Sequence, residues 1–473
     1  MNLQHKDEAP HLDHRELYYA MLAEQDECVA ETSLAFLGEQ LDLASHLDSD
    51  LPQDPATLLA WIRNQAVSVS TQYQCYLNER RSGAPRRYFA GRAHALWFLQ
   101  AVSPTKLVDG AWLSSTVAHW QDSRFRPLIQ TYLEELGDGL ESHNHVAIYQ
   151  RLLDACGCTT RSDLPDAYYT QGAIQLSLGM HGSTMLPEMI GFNLGYEQLP
   201  LHLLITACEL DELGIDPWYF TLHSTIDNAD TGHAEKAVRA LQSHWPHGGS
   251  TTDFHRRLCA GYQLNALGIG TLDAIDAFDL EQELVATLER KARIGASMHA
   301  DHCRIAGKSI SQWLVDPTRM RELLLALVKA GWIVRNRPAE ESRFWQLLQG
   351  PGAPMFGVFN DYEQQLLREW IAGDACTDDR PPLSFRVRKS LRNNIPAPAR
   401  QLESRPRPVL RDRFSRRREH ADASAELRSL EDELRGCADQ SAFLRRLLPL
   451  LQPPRHASAA GLMATRIFKQ LLA

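Results

Sequence analysis

The stretch YFTLHSTIDNADTGHA, residues 219–234, combines apolar residues at helical spacing with four potential metal ligands. On an ideal helix, where successive residues are rotated by about 100°, His223, Asp227 and Asp230 lie along one narrow stripe. His233 falls roughly 80° from that stripe, but the glycine before it is a poor helix former, and a local bulge would bring His233 into line. Imidazole together with carboxylate is the ligand set of non-haem iron and manganese sites. Aromatic and aliphatic residues flank these ligands, so we interpret the stretch as a metal-binding helix rather than as a solvated polar face.

Helical spacing of apolar residues recurs along most of the chain on both sides of this stretch. Runs that alternate apolar and polar residues, as half-buried strands require, are scarce. Breaks that contain glycine or proline separate the periodic segments. The sequence therefore predicts an all-α fold, with helical segments at about 17–41, 55–80, 91–101, 124–136, 144–155, 197–213, 217–246, 252–267 and 280–300.

Two further places in the sequence offer ligands that would complete a two-metal site. Glu197 interrupts an otherwise apolar run. Because a carboxylate that faces a core is costly unless it is paired or binds a metal, Glu197 either is a ligand or points to solvent. Upstream, Glu135 ends a predicted helix, a glycine-rich break follows, and His145 opens the next helix. Twin glutamates at a helix end are usually surface residues, so Glu135 is a candidate ligand only in combination with the other ligands.

Taken in order, these pieces resemble the haem-oxygenase-like diiron oxidases, which are also described as iron-containing redox enzymes. The resemblance extends over roughly residues 85–305 and includes the connecting run MLPEMIGFNLGYE at 185–197. It implies a seven-helix, haem-oxygenase-like bundle that holds two Fe(II) ions, with dioxygen as co-substrate and a small-molecule metabolite as substrate. It also implies a homodimer, and a reaction that is an N-oxygenation, an oxidative C–C cleavage or a desaturation. The ligands that the resemblance carries over by position are Glu135, His145, Glu197, His223, Asp227 and His233.

The chain departs from the family's commoner spacing at one position. That spacing is His-x-x-x-Asp-x-x-His, which would place a histidine at 230, where this chain has Asp230. Either Asp230 serves as a carboxylate ligand, or the helix is deformed and His233 serves instead. Gly232 gives a reason for the deformation, and it therefore favours His233.

Composition and charge narrow the class of protein. The chain has 473 residues, of which 44% are hydrophobic and 23% charged, and this composition is typical of a folded protein. Its net charge of −10 argues against a general nucleic-acid binder. That charge is unevenly distributed, because the residues from Cys376 onward carry +9 and those before it carry −19. The apolar stretches are too short for membrane insertion, and scattered cysteines, odd in number, are typical of a cytoplasmic protein.

Charge and periodicity together divide the chain into five segments. An N-terminal helical extension, 1–84, precedes a haem-oxygenase-like diiron core, 85–310, and a helical accessory segment, 311–375. A basic linker rich in proline and arginine, 376–422, follows, because such a composition buries too little apolar surface to fold alone. A C-terminal helical tail, 423–473, ends the sequence and is expected to dock on the body or on a partner.

Two other functions stay open on the sequence alone. One is a metal-free relative of the same bundle that binds a small molecule. The other is a scaffold protein whose basic tail binds a partner. Non-haem diiron, dioxygen-dependent oxidation of a small molecule is the function that the combined ligand pattern favours.

Overall fold

A computed structural model of the chain describes residues 13–23, 26–226, 232–246, 248, 251–295, 304–350, 352–375 and 426–472. Its architecture is all-α, as the hydrophobic periodicity predicts. The α-helices of the first half are α1 (His14–Ala23), α2 (Glu27–Ser45), α3 (Leu58–Arg81), α4 (Arg92–Ala101), α5 (Ser103–Lys106), α6 (Arg126–Glu135), α7 (His145–Ala155), α8 (Thr170–His181), α9 (Leu186–Tyr196) and α10 (Leu201–Glu212).

The second half continues in the same way and adds a small hairpin. Its α-helices are α11 (Trp218–Ile226), α12 (His233–His244), α13 (Thr251–Gln263), α14 (Thr271–Asp276), α15 (Leu280–Gly295), α16 (Ile310–Leu314), α17 (Met320–Lys329), α18 (Arg343–Gln346), α19 (Asp361–Ala372) and two C-terminal helices, Gln440–Leu447 and Ala459–Leu472. Residues 426–435 are also helical. The hairpin pairs Arg304–Ile305 with Lys308–Ser309 in antiparallel fashion.

Short 3-10 helices connect several of these elements. They are Pro55–Thr57, Ala111–His119, Ser123–Phe125, Gly137–Gly139, Asp166–Tyr168, Leu264–Ala266, Pro317–Arg319, Ala339–Glu341, Gly373–Ala375 and Leu448–Leu451.

The single helix predicted over 217–246 is wrong. α11 ends at Ile226 and α12 begins at His233, with Gly232 in an extended conformation (φ −88°, ψ −161°) as the N-cap of α12. An N-cap residue leaves the helical region of backbone conformations, so Gly232 begins a separate helix at His233 instead of bulging a continuous one. His223 and His233 consequently stand on two different helices. The predicted ligands Asp227 and Asp230 lie outside the described residues.

The connection between α6 and α7 is a tight turn that holds two helix ends side by side. All three residues of Gly137–Gly139 have positive φ, at 65°, 53° and 81°, and the two glycines adopt this conformation without steric cost. Leu136 and Asn144 then pair as an isolated antiparallel bridge. The Asn144 side chain accepts a hydrogen bond from the backbone N–H of Ala147 and so caps α7. The turn therefore brings the end of α6 next to the start of α7.

The two C-terminal helices pack on the body of the bundle. Leu447, Leu451 and Phe468 are fully buried there. The hydroxyl of Tyr132 in α6 donates a hydrogen bond to the carbonyl oxygen of Leu451. The apolar stripe of the predicted tail is thus covered by this chain's own core.

The structure describes the remaining predicted segments only in part. The accessory segment contacts the core through α19, where the Glu369 carboxylate accepts a hydrogen bond from the backbone N–H of Ala93 at 2.7 Å. The basic linker, 376–422, lies outside the described residues, and the five segment boundaries stay predictions. No helix in the described part of the chain has both the length and the apolar composition needed to span a bilayer.

Candidate metal centre

Six buried carboxylate and imidazole side chains converge inside the bundle, most of them at helix ends. Their exposed fractions are between 0 and 7%. They are Asp109 in the turn after α5, Glu135 at the end of α6, His145 at the start of α7, Glu197 at the C-cap of α9, His223 in α11 and His233 at the start of α12.

The first group of potential ligands consists of Asp109, Glu135, His145 and His223. One ligand atom from each residue lies within 4.8 Å of the others. The Asp109 Oδ2 atom is 3.1 Å from His223 Nε2 and 3.4 Å from His145 Nδ1. Two carboxylates and two imidazoles in this arrangement are a ligand set suited to iron or manganese.

The second group consists of Glu135, Glu197 and His233, whose ligand atoms also lie within 4.8 Å of one another. The Nδ1 atom of His233 is 2.9 Å from Glu197 Oε2 and 3.2 Å from Glu135 Oε1. Glu135 therefore belongs to both groups, with one oxygen toward each. A carboxylate placed in this way can bridge two metal ions.

The contact between Glu135 and His145 tests whether the site fits a metal. The Oε2 atom of Glu135 and the Nδ1 atom of His145 form a close ion pair. Both atoms are buried, and neither makes a hydrogen bond of acceptable geometry with the described residues. Buried polar atoms are normally satisfied by well-directed hydrogen bonds. A cation bound by both atoms would satisfy them, so the residues fit a metal site.

The charged groups of the cluster shift one another's pKa values. Burial alone would raise the pKa of Asp109, but the imidazoles of His145 and His223 outweigh it and hold that pKa well below its usual range. Burial would also raise the pKa of Glu135, but the charge of His145 overcomes this effect and lowers that pKa to about 2. Burial would lower the pKa of His145, but the charges of Glu135 and Asp109 raise it to about 10. The carboxylates are therefore ionised near neutral pH, and a metal would displace the extra proton on His145.

Asp109 is fixed by partners on two helices, α9 and α11, as well as by the imidazoles. Its Oδ1 atom accepts a hydrogen bond from the Tyr196 hydroxyl at 2.9 Å, and its Oδ2 atom accepts one from the Tyr219 hydroxyl at 2.5 Å. The next residue, Gly110, has φ 81°, and a Cβ atom there would lie 2.8 Å from the Cβ of Glu135. A glycine at this position thus permits both the turn and the approach of Glu135.

Partners outside the two groups orient the rings of His223 and His233. The Nδ1 atom of His223 is 2.7 Å from the carbonyl oxygen of Tyr219, which can only accept, so Nδ1 carries a proton and Nε2 faces the cluster. The Nε2 atom of His233 is 2.9 Å from Glu134 Oε2, and the Lys236 ammonium holds Glu134 at 2.5 and 2.6 Å. A carboxylate behind a histidine ring is a common arrangement in metal sites, because it fixes the ring and the protonated nitrogen.

A residue from the C-terminal tail reaches the same cluster. The Nδ2 atom of Asn144 is 3.1 Å from His456 Nδ1 and 3.3 Å from the Leu136 carbonyl oxygen. Asn144 precedes His145 in the sequence, and Leu136 follows Glu135. His456 is buried and therefore braces the turn that carries two of the six potential ligands.

Most of the residues predicted from the sequence come together in the structure. Glu135, His145, Glu197, His223 and His233 all join one of the two groups. Asp109 was missed, because it lies in a short turn with no ligand spacing around it. The only signal in the sequence is that Asp109 and Gly110 form a turn between apolar residues, Val108 on one side and Ala111-Trp112 on the other. A solvated turn would be unusual there. Glu134 was not singled out from the sequence, although its carboxylate contacts His233.

Residues 96–265 match the family model described as iron-containing redox enzyme. All six residues of the two groups fall within this range. The match confirms, for that part of the chain, the resemblance inferred from the order of the motifs. Neither a curated protein nor a solved structure matches the chain in the corresponding comparisons.

Proposed function

Since residues 96–265 are similar to iron-containing redox enzymes, we propose that this protein is a non-haem diiron oxidase or oxygenase. It would use dioxygen to oxidise a small-molecule metabolite. The observation that carries the proposal is the sharing of Glu135 between two groups of buried ligands. Helical bundles that hold two metal ions place carboxylates and histidines on facing helices in the same manner.

Each ion has an assigned set of residues in this proposal. Asp109, His145 and His223 would hold the first ion, and Glu197 and His233 would hold the second. Glu135 would contribute one carboxylate oxygen to each. His233 lies between Glu135 and Glu197, and this position supports His233 over Asp230 as the last ligand. Asp227 stays a candidate from the sequence.

Two bound Fe(II) ions would supply the electrons that dioxygen needs in order to react with an organic substrate. The chain's own residues prepare that site in three ways. Glu134 holds the Nε2 proton of His233, so that Nδ1 is directed toward Glu135 and Glu197. The Tyr219 carbonyl holds the Nδ1 proton of His223, and the hydroxyls of Tyr196 and Tyr219 keep the Asp109 carboxylate in place. Burial of all six ligand residues keeps bulk water away from the reacting centre.

A metal-free role would leave the same carboxylates buried with imidazolium ions as their main counter-charges. Such buried charges are costly even when paired, and they contribute little to stability compared with apolar packing. The close contact of Glu135 and His145 without hydrogen-bond geometry is also unfavourable for a purely structural cluster. These features support the metal-binding function over the metal-free alternative.

Anaerobic loading of the full chain with Fe(II) tests the proposal. We expect two iron atoms per chain by elemental analysis, and Mössbauer parameters of carboxylate-bridged high-spin Fe(II). Replacing Glu197 and His223 together by alanine should abolish stoichiometric iron binding. Glu141→Gln is the matched control, because Glu141 is an exposed carboxylate near the same turn and outside both groups. Iron at background level, or iron binding that survives the double substitution, would refute the diiron function.

A further inference from the structure

A cavity of about 950 Å³ lies between α3 and the candidate metal centre. His223, one of the potential metal ligands, forms part of its wall. Another part of the wall comes from the middle of α3, residues 63–72, which we call the α3 midsection. Its residues 63, 65–67 and 69–71 all line the cavity. A conformational change in the α3 midsection would therefore alter access to the metal centre from this side.

Both ends of α3 are anchored on the body of the bundle. Before the midsection, Ile62 is only 3% exposed. After the midsection, the hydroxyl of the buried Tyr76 donates a hydrogen bond to Glu209 Oε1 at 2.7 Å. One turn later, the Arg80 guanidinium forms an ion pair with Glu212 at 2.5 Å. The two ends are thus held by contacts that do not involve the midsection.

The α3 midsection itself is poorly packed. All ten of its side chains are exposed or half-buried. The Thr71 hydroxyl donates to the carbonyl oxygen of Val67, and the Gln72 amide donates to the Ser68 hydroxyl, so these hydrogen bonds stay within α3. Burial of an apolar face supplies most of the stability of a helix in a protein. The midsection therefore lacks the main contribution that holds the two ends.

The sequence of the midsection also disfavours the helix. Residues 67–71 read Val-Ser-Val-Ser-Thr. Valine and threonine lose side-chain freedom in a helix, and serine is a weaker helix former than alanine. Segments with few buried contacts and solvent-exposed backbone hydrogen bonds open at the lowest free-energy cost. A helix with anchored ends and such a middle is expected to open in the middle first.

We propose that the α3 midsection is a gate, which opens locally between the two anchored ends and admits small molecules to the cavity. α3 precedes residues 96–265, which match the family model, so the gate belongs to the N-terminal extension of this chain. Opening is a property of the helix and does not require bound iron. Its meaning for catalysis, the admission of substrate, rests on the proposed function.

Hydrogen–deuterium exchange of the full, metal-free chain, followed by mass spectrometry, tests the local opening. Helices normally fray at their ends, so the last turn of an ordinary helix exchanges faster than its middle. The gate predicts the reverse order in α3. Backbone amides of 67–72 should exchange roughly tenfold or more faster than those of 76–80. Equal or slower exchange of 67–72 would overturn the proposal.

Substitutions at two exposed serines of the midsection should move the gate in opposite directions. Ser68→Ala with Ser70→Ala raises helix propensity and should slow exchange of 67–72 about fivefold, whereas glycine at both positions should accelerate it about fivefold. Ala35→Gly is the control, because Ala35 is exposed on α2 and does not line the cavity. It should leave exchange of 67–72 unchanged. An equal response to the alanine and glycine pairs would overturn the proposal.

The rate at which a small reagent reaches the cavity tests whether the opening admits molecules. Val102 is buried on the cavity wall, so Val102→Cys, combined with each serine pair, places a thiol inside. N-ethylmaleimide is the probe, and labelling is quantified by peptide mass spectrometry against the exposed Cys28. The glycine pair should accelerate labelling at position 102 about fivefold and the alanine pair should slow it about fivefold, with Cys28 unchanged.

Labelling at position 102 that ignores the serine pairs, or that does not occur, would overturn the gate. Iron content after anaerobic Fe(II) loading is measured on the wild-type chain in parallel. Two iron atoms per chain together with unresponsive labelling would refute the gate alone. Responsive labelling in a chain that binds no iron would support the gate and refute the diiron function alone.

Discussion

Glu135 is placed where a carboxylate is least stable on its own. It is the last residue of α6, where the negative end of the helix dipole opposes an anion, and it is only 3% exposed. His145 and His233 compensate this charge from two other helices. A residue that is unfavourable locally and compensated from a distance is typical of a functional site, because packing alone would not retain it.

Substitution of the shared carboxylate tests whether it bridges two ions. Glu135→Gln should abolish binding of both ions. Glu197→Gln should weaken binding of only the ion assigned to Glu197 and His233. The expected loss for Glu135→Gln exceeds the roughly 10- to 100-fold cost of removing a partner outside the ligand set. Competitive titration with Fe(II) or Co(II) and a chelator measures both affinities. If Glu135→Gln removed one ion and left the other unchanged, Glu135 would not be the bridging ligand.

Gly110 is a second position where a single residue supports the site. Gly110→Ala should lower the free energy of unfolding by about 3 kcal/mol, because strain at φ 81° adds to overpacking against Glu135. It should also weaken metal binding. Gly83→Ala is the matched control, since Gly83 has φ 91° but has nothing within 4 Å of an added Cβ. Its cost should be about 1–2 kcal/mol with metal binding unchanged, measured by urea unfolding and metal titration. Equal effects of the two variants on metal binding would contradict this role of Gly110.

His456 gives the metal-free protein a specific dependence on pH. Burial and the His145 charge lower its pKa from 6.5 to about 4. Between these two values the unfolded chain binds a proton that the folded chain does not, so stability falls as pH decreases from about 6.5 toward 4. The loss attributable to this residue between pH 7 and pH 5 is about 2 kcal/mol. The difference in urea stability between pH 7 and pH 5 should therefore be about 2 kcal/mol smaller in His456→Gln than in the wild type. An unchanged difference would show that His456 is not buried in its neutral form.

At the scale of elements, helix ends carry the site. The turn at Gly137–Gly139 joins the end of α6 to the start of α7, and Gly232 is the N-cap that immediately precedes α12. The sequence predicted a break at Gly137–Gly139 and a deformation of one helix at Gly232, because glycines mark both positions. It could not predict that the second break separates two helices, since a bulge and an N-cap have the same sequence signal at a glycine.

The C-terminal segment contacts the turn beside His145 through His456, which lies between its two helices. A pair of substitutions separates positioning from simple stabilisation. His456→Ala should shift the absorption spectrum of the Co(II)-loaded protein and weaken its metal binding, because Asn144 loses a partner beside His145. Phe468→Ala removes a fully buried side chain of the same segment and should cost about 3–5 kcal/mol of stability with an unchanged spectrum. His456→Asn should restore part of the spectrum if its amide reaches Asn144. Identical spectra for wild type and His456→Ala would leave His456 with a packing role only.

At the scale of the whole molecule, the sequence predicted the class of fold and five of the six potential ligand residues of the two groups. Helical periodicity and the order of Glu135, His145, Glu197 and the 223–233 stretch were sufficient for this. Asp109 could not be found, because its role arises from contacts with residues about 85 to 115 positions later in the chain. The docking of the C-terminal helices on α6 could not be distinguished from binding to a partner, since an amphipathic helix carries no information about which surface covers it.

The charge division of the chain also acquires a structural meaning at this scale. The buried acidic residues of the body include the carboxylates of the two ligand groups, although these are few beside a charge of −19. The +9 of the C-terminal part belongs partly to helices that pack on the acidic body. Attraction between the two parts is expected to weaken as salt concentration rises.

An anomalous-scattering map at the iron edge, from crystals of the full chain loaded anaerobically with Fe(II), would locate the two proposed ions. We expect two peaks about 3.5–4 Å apart, with Glu135 between them. One peak should lie among Asp109, His145 and His223, and the other beside Glu197 and His233. A single peak, peaks away from these residues, or no peak in a crystal of folded, iron-treated protein would show that the chain does not hold a diiron centre at this site.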